Sequence, residues 1–158
     1  TPPLFVSEPD SENTLRIIYA GPALPADRES LFYMNVKAIP SVNKAKTENN
    51  NVLQLAIRSR FKFIYRPAGL GNRDAAAEKL TLTASGSGLA INNPTPFYIT
   101  VSRISRDGGK ALNSKTVMLA PQSSQTVALS SAVNRGETLT VNNINDYGAD
   151  VAVKVAVK

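Results

Sequence analysis

The chain has 158 residues, 42% of them apolar, and a net charge of +6, so a packed core is possible and the balance favours acidic partners. Histidine and cysteine are both absent. That excludes Cys/His metal sites, cysteine nucleophiles and the Ser-His-Asp triad, each of which needs an imidazole or a thiolate. No run approaches the roughly 18 apolar residues of a membrane span, and Thr1 to Phe5 has neither the basic start nor the apolar run of a secretory signal.

Taken in chain order, the segments read as strands are Thr14 to Tyr19, Leu31 to Ile39, Val52 to Arg66, Lys79 to Ala84, Gly88 to Asn92 and Phe97 to Ser105. Thr116 to Leu119, Gln125 to Leu129, Glu137 to Asn143 and Asp150 to Lys158 follow. Their β-branched and aromatic residues, the period-two alternation and the Pro, Gly and Asn punctuation mark an all-β chain of sandwich type. A short helix fits only at Arg73 to Lys79, where Asp74 precedes three alanines. Pro67, Gly69 and Gly71 place a domain boundary just after Arg66. Residues 67–158 hold seven candidate strands, enough for one immunoglobulin-like sandwich. Residues 1–66 hold three, so the first domain is expected to be incomplete in this chain.

The stretch from Asn51 to Arg66, NVLQLAIRSRFKFIYR, carries the most information. Leu53, Leu55 and Ile57 alternate with Gln54, Ala56 and Arg58, and the stretch runs on into Lys62. Successive side chains of a strand point to opposite faces, so the three apolar residues form one row with a cation nearby. An ordinary half-buried strand of the chain's own sandwich reads the same way. So does a strand that completes another protein's sheet and grips its carboxylate. The chain as a whole is only 6% aromatic and has no glycine-rich basic tail, which argues against nucleic acid and for reading the cationic run Arg58, Arg60, Lys62, Arg66 as a solvated strand face. Gly108-Gly109-Lys110 lacks the spacing of a phosphate loop and reads as a hairpin turn.

Four separated blocks then point one way: DRESLFYMNVKAIP at 27–40, LQLAIRSRFKFIYRP at 53–67, NPTPFYITV at 93–101 and INDYG at 144–148. Their order and content resemble the periplasmic chaperones of the chaperone-usher pilus pathway, across nearly the whole chain. The resemblance implies two immunoglobulin-like domains, 1–66 and 67–158, with Val52 to Arg66 as the strand lent to a pilus subunit. It implies that Leu53, Leu55 and Ile57 plug the subunit's groove. It implies that Lys62, with an arginine that does not fall in this chain, binds the subunit's C-terminal carboxylate.

Glu29, Arg66 and Asp146 match the charged residues that bridge the two domains in that family. Because an arginine between two carboxylates holds both as anions, they read as architectural and not as a general acid and a nucleophile. The polar loop from Ser41 to Asn51 resembles the short-loop branch of the family. The implied partners are pilus subunits and the outer-membrane usher, with self-association possible when the chaperone is free. The resemblance implies no nucleic acid, membrane insertion, cofactor or catalytic residue, and it implies residence in the periplasm. The competing readings are a fibre subunit or adhesin, and an immunoglobulin-like binding module with no role in assembly.

Overall fold

The computed structural model describes residues 4–41, 53, 55–86 and 88–158. The expected beginning of the long strand at Val52, with Gln54 in it, and the polar loop from Asn51 back to residue 42 lie outside the described residues, as do the first three residues. Among the described residues all regular secondary structure is β, apart from one 3-10 turn at Ala76–Lys79, and the first strand begins at Ser30. The strands are β1 (Ser30–Ala38), β2 (Ile57–Tyr65), β3 (Thr81–Ser85), β4 (Gly88–Asn93) and β5 (Ile99–Ser105). β6 (Val117–Leu119), β7 (Ser123–Ala128), β8 (Thr138–Ile144) and β9 (Asp150–Ala156) complete the set.

Residues from Thr81 onward form a sandwich of two antiparallel sheets, ordered β3-β4-β7 and β6-β5-β8-β9. Its core follows from alternation. Leu89 and Ile91 of β4, Ile99 and Val101 of β5 and Leu139 and Val141 of β8 are fully buried, together with Leu82 and Leu119. Period two places each such pair on the inner face. In β5 the alternation breaks: Ile104 and Ser105 are both buried, and the register with β8 slips between Val101 and Arg103. A bulge there lets the strand turn Ile104 back into the core after one extra residue. Val157 closes the sandwich, with a parallel bridge to Leu82 and a Lys158 N–H bonded to the Leu82 carbonyl at 2.8 Å.

The front of the chain is a two-stranded antiparallel sheet, β1 against β2, in register from Ser30↔Tyr65 to Ala38↔Ile57. Phe32, Met34, Phe61, Phe63 and Tyr65 share one face, and Tyr33, Lys37, Arg58, Arg60 and Lys62 share the other. On the second face the Arg60 guanidinium stacks 3.7 Å from the Tyr33 ring centre. Every buried apolar residue of the core cluster lies at or beyond Ala76.

Three expectations are corrected. Thr14 to Tyr19 forms no strand among the described residues: Ile17 and Ile18 stand exposed, so the segment lacks the buried apolar face that holds a strand in a sheet. The helix at Arg73 to Lys79 shrinks to the single turn Ala76–Lys79, since one turn cannot offset the cost of nucleating an α-helix. The long strand is assigned only from Ile57 to Tyr65, and Leu53, Leu55 and Ala56 precede it.

Candidate functional site

The front sheet and the sandwich meet at Arg66, the residue after β2. Its guanidinium donates from Nε to Glu29 Oε1 at 2.6 Å and from Nη1 and Nη2 to the two Asp146 oxygens at 2.7 and 3.0 Å. A planar group with donors on two edges can serve two carboxylates at once, which an ammonium on a flexible stem cannot do with the same geometry. The structure thus brings Glu29, Arg66 and Asp146 into one cluster from three distant points of the sequence.

Each member is positioned by local chemistry. Glu29 precedes β1 and its side chain is 1% exposed. Its second oxygen accepts the Tyr98 N–H at 2.6 Å, and its own N–H donates to the Pro96 carbonyl at 2.9 Å. The segment that receives these bonds is held rigid by Asn93. Its Nδ2 donates to the carbonyls of Phe97 and Ala120 at 2.8 and 2.9 Å, and its Oδ1 accepts from the Thr95 N–H and hydroxyl at 3.1 and 2.7 Å. A buried amide with every group satisfied fixes a loop that Pro94 and Pro96 already restrict. Asp146 sits in the β8–β9 turn, where Asn145 Oδ1 accepts the N–H groups of Tyr147 and Ala149 at 3.0 and 2.9 Å. Gly148 takes the positive φ of 79° that this turn requires.

The electrostatics follow the geometry. Hydrogen bonds from Arg66 hold the Asp146 carboxyl below its ordinary value of 3.8, against the opposing effect of burial, and the nearby charges of Arg66 and Arg73 add to this. Asp146 in turn raises the Arg66 guanidinium further above its already high value, with Glu29 contributing. Both partners of this pair are charged at any physiological pH.

Beside the cluster opens a cavity of about 590 Å³, lined by Lys62, Ile64 and Arg66 of the front part and by Arg73, Tyr98, Thr100, Ile144, Asn145 and Asp146. The charged face of β2 therefore borders it. Lys62 is exposed there. Leu53, Leu55 and Ile57 are not brought into this cluster. They stand before and at the start of β2 with exposures of 82%, 68% and 69%. Arg73 was not singled out from the sequence as a site residue. It is 5% exposed, donates from Nη2 to the Ile144 carbonyl at 3.3 Å, and its Nη1 has no partner among the described residues. A lone arginine after Gly69 and Gly71 gives no periodic or motif signal by which to find it. Among the described residues, no group of three or more acidic side chains is arranged to hold a metal ion.

These features define a two-part all-β protein with a cationic groove where the parts meet and an exposed apolar row at one end of its front hairpin. The chain belongs to the pili-assembly chaperone family: residues 1–71 match the N-terminal domain of the pili and flagellar-assembly chaperone PapD, and residues 75–154 match the PapD C-terminal domain. It is 70% identical over 160 residues to the chaperone protein MrkB of Klebsiella pneumoniae, an alignment that covers 100% of this chain and 69% of that protein. It is 49% identical over 151 residues to the chaperone protein FimC of Escherichia coli strain K12, covering 94% of this chain and 60% of FimC. Among solved structures, that of the Salmonella enterica SafA pilin in complex with the SafB chaperone superposes with a TM-score of 0.72 at 26% identity, over 86% of this chain and 63% of that one. The chain thus spans 60% to 69% of the length of these relatives. The fold class is all-β with immunoglobulin-like domains of the kind these chaperones carry.

Proposed function

We propose that this protein is a periplasmic chaperone that captures pilus subunits by lending them a strand, and then passes them to the outer-membrane usher. The observation that carries the reading is the exposure of Leu53, Leu55 and Ile57, 68% or more each, next to a strand whose outer edge pairs with no described strand. Large apolar side chains that face water beside an open sheet edge are an aggregation hazard unless a partner covers them. A subunit with a groove in its sandwich is such a partner: the backbone of the stretch leading into β2 supplies ladder hydrogen bonds, and the three side chains supply buried area. Each fully buried Leu or Ile contributes about 1.5–3 kcal/mol before the ordering cost of association is counted.

In this reading Lys62 holds the subunit's C-terminal carboxylate and so fixes the register of the two strands, since charge-assisted hydrogen bonds are directional. Glu29, Arg66 and Asp146 set the angle at which the front domain, residues 1–66, meets the second domain, residues 67–158. The same apolar row would allow two free copies to cover one another. The chaperone performs no covalent step on the subunit; release follows when a better-fitting strand replaces the lent one.

The test is to mix the full-length protein with a purified pilus subunit and determine stoichiometry and affinity. The reading expects a one-to-one complex that fails to form when Leu53, Leu55 and Ile57 are all replaced by serine. A folded full-length protein that captures no pilus subunit would remove it.

A further inference from the structure

We infer that Lys37, Arg58 and Arg60, at the open end of the front hairpin, form a docking face for an acidic protein surface and speed that partner's arrival. The partner's identity as a pilus subunit rests on the proposed function, whereas the face can be tested without a subunit.

The register of the front sheet sets Lys37 directly opposite Arg58 and Asn35 opposite Arg60, with Lys62 next along the same face. Directly opposed side chains of an antiparallel pair stand about 5 Å apart at Cβ, where like charges destabilise the pairing. Same-face neighbours along one strand are about 7 Å apart, so Arg58, Arg60 and Lys62 make a continuous row. All four cations are exposed. Neither strand contains an aspartate or glutamate, and no ion pair among the described residues includes Lys37, Arg58 or Arg60. For the hairpin alone this is a cost, since a carboxylate at position 37 would attract Arg58 instead of repelling it. Residues that oppose local stability in this way are characteristic of functional surfaces.

Arg60 is held ready for an anion. Its guanidinium lies 3.7 Å from the centre of the exposed Tyr33 ring. Stacking on the ring fixes the plane of the group and leaves its edge donors to meet a carboxylate through parallel N–H bonds.

The position of the face favours a protein partner over a lipid surface. Arg58 follows Ile57, which pairs with Ala38, so the cations adjoin the exposed row Leu53, Leu55 and Ile57. A subunit that reaches the row meets Lys37 and Arg58 on the way, while Lys62 lies further along and borders the cavity. Uncompensated charges of one sign attract an acidic surface over a screening length of about 10 Å at 0.1 M salt. Their effect falls mainly on the rate of association and on the choice of partner.

The experiment follows association of the full-length protein with an acidic pilus subunit by stopped flow, from about 0.01 M to about 1 M salt, where the screening length drops from about 30 Å to about 3 Å. Lys37→Glu is the diagnostic variant: Lys37 lies on β1 and not on the lent strand, and the substitution turns repulsion of Arg58 into attraction. Lys115→Glu, on an exposed stretch of the sandwich, makes the same change in net charge away from the face. The wild-type association rate should fall about tenfold or more across the salt series. At low salt Lys37→Glu should associate about tenfold more slowly, dissociate at the wild-type rate and unfold at an equal or higher denaturant midpoint. Lys115→Glu should stay within about twofold of the wild-type association rate, because its site lies beyond the screening length of the face. An oligoglutamate peptide probes the face without a subunit: the wild type should bind it more tightly than Lys37→Glu does and should not bind oligoglutamine.

A Lys37→Glu protein that associates as fast as the wild type, or that slows only as much as Lys115→Glu, overturns the inference, and so does one that is less stable than the wild type. Anionic lipid vesicles bound by the wild type and not by Lys37→Glu, with oligoglutamate bound by neither, would assign the face to a membrane and overturn it too. A wild type that binds oligoglutamate through Lys37 but captures no pilus subunit removes the chaperone reading and leaves the acidic-protein face standing.

Discussion

Arg66 and Glu29 are joined by a 2.6 Å ion pair in which the carboxylate side chain is 1% exposed and the guanidinium 37%. The asymmetry decides what the pair does. Glu29 has given up nearly all its water and depends on Arg66 and the Tyr98 N–H, whereas Arg66 keeps solvent contact and a second carboxylate, Asp146. Removing the cation therefore costs more than the pair itself contributes, because it strands a buried anion.

Arg66→Ala is accordingly expected to destabilise the protein by about 1–3 kcal/mol. Arg66→Lys should recover only part of the loss, since an ammonium cannot serve Glu29 and Asp146 in the same planar geometry. Denaturant unfolding of the three proteins checks this, and equal stability of Arg66→Ala and wild type would contradict it.

Acid should loosen the same contact. The Asp146 carboxyl is held below 3.8 by Arg66, so its folded-state pKa is lower than its unfolded one. Its stabilising contribution is then fully present above 3.8 and is lost as pH falls from 3.8 through the lower folded value. Unfolding free energy measured along a pH series should decline in that window, and Asp146→Asn should make the decline shallower. It should not flatten it, because Glu137 is lowered in the same direction, first by the Asn134 N–H and then by Arg106. An identical acid slope in the variant would show that Asp146 does not feel Arg66.

Much of this architecture was legible in the residues. Alternation of apolar with polar or small residues located β1, β4, β8 and β9 to within a residue or two. Leu139 and Val141 against Thr140, and Val151 and Val153 against Ala152, carry that signal directly. Local pattern failed where a partner decides the outcome. Thr14 to Tyr19 has strand-like composition but forms no strand among the described residues, and Ser102 gives no hint of the bulge that keeps both Ile104 and Ser105 inside. Glu29, Arg66 and Asp146 were reachable only through whole motifs, since residues 37 and 80 positions apart share no local period. Arg73 gives no local signal because its burial against the Ile144 carbonyl comes from a residue 71 positions away and not from its neighbours along the chain.

Asn93→Ala tests how far a loop can depend on one side chain. The amide makes two donor and two acceptor bonds inside the sandwich, and its removal leaves the carbonyls of Phe97 and Ala120 and the Thr95 N–H and hydroxyl to find other partners. The expected loss is about 2–4 kcal/mol, given the cost of buried groups left unsatisfied. Because this loop also offers Pro96 and Tyr98 to Glu29, the variant should loosen the front sheet as well. Hydrogen exchange at the Tyr98 amide reads that effect, and unchanged protection there would contradict it.

The apolar row makes a separate prediction, because its members lie outside the core cluster. Leu55→Ser should leave the unfolding midpoint of the free protein nearly unchanged, as surface substitutions do, while weakening subunit capture by about tenfold or more. Leu139→Ala should do the reverse. It should cost about 2–5 kcal/mol in stability through a core cavity, with capture affinity reduced only as far as the folded fraction falls. Equal behaviour of the two variants in both assays would contradict the division between row and core.

Backbone amide exchange over residues 53–65 of the full-length protein, with and without a bound pilus subunit, bears most directly on strand donation. A lent strand forms ladder hydrogen bonds with its recipient, so amides at alternate positions from Leu53 to Ile57 should pass from rapid exchange to strong protection in the complex. A one-to-one complex in which those amides exchange as fast as in the free protein would contradict the account, since the subunit would then be held elsewhere.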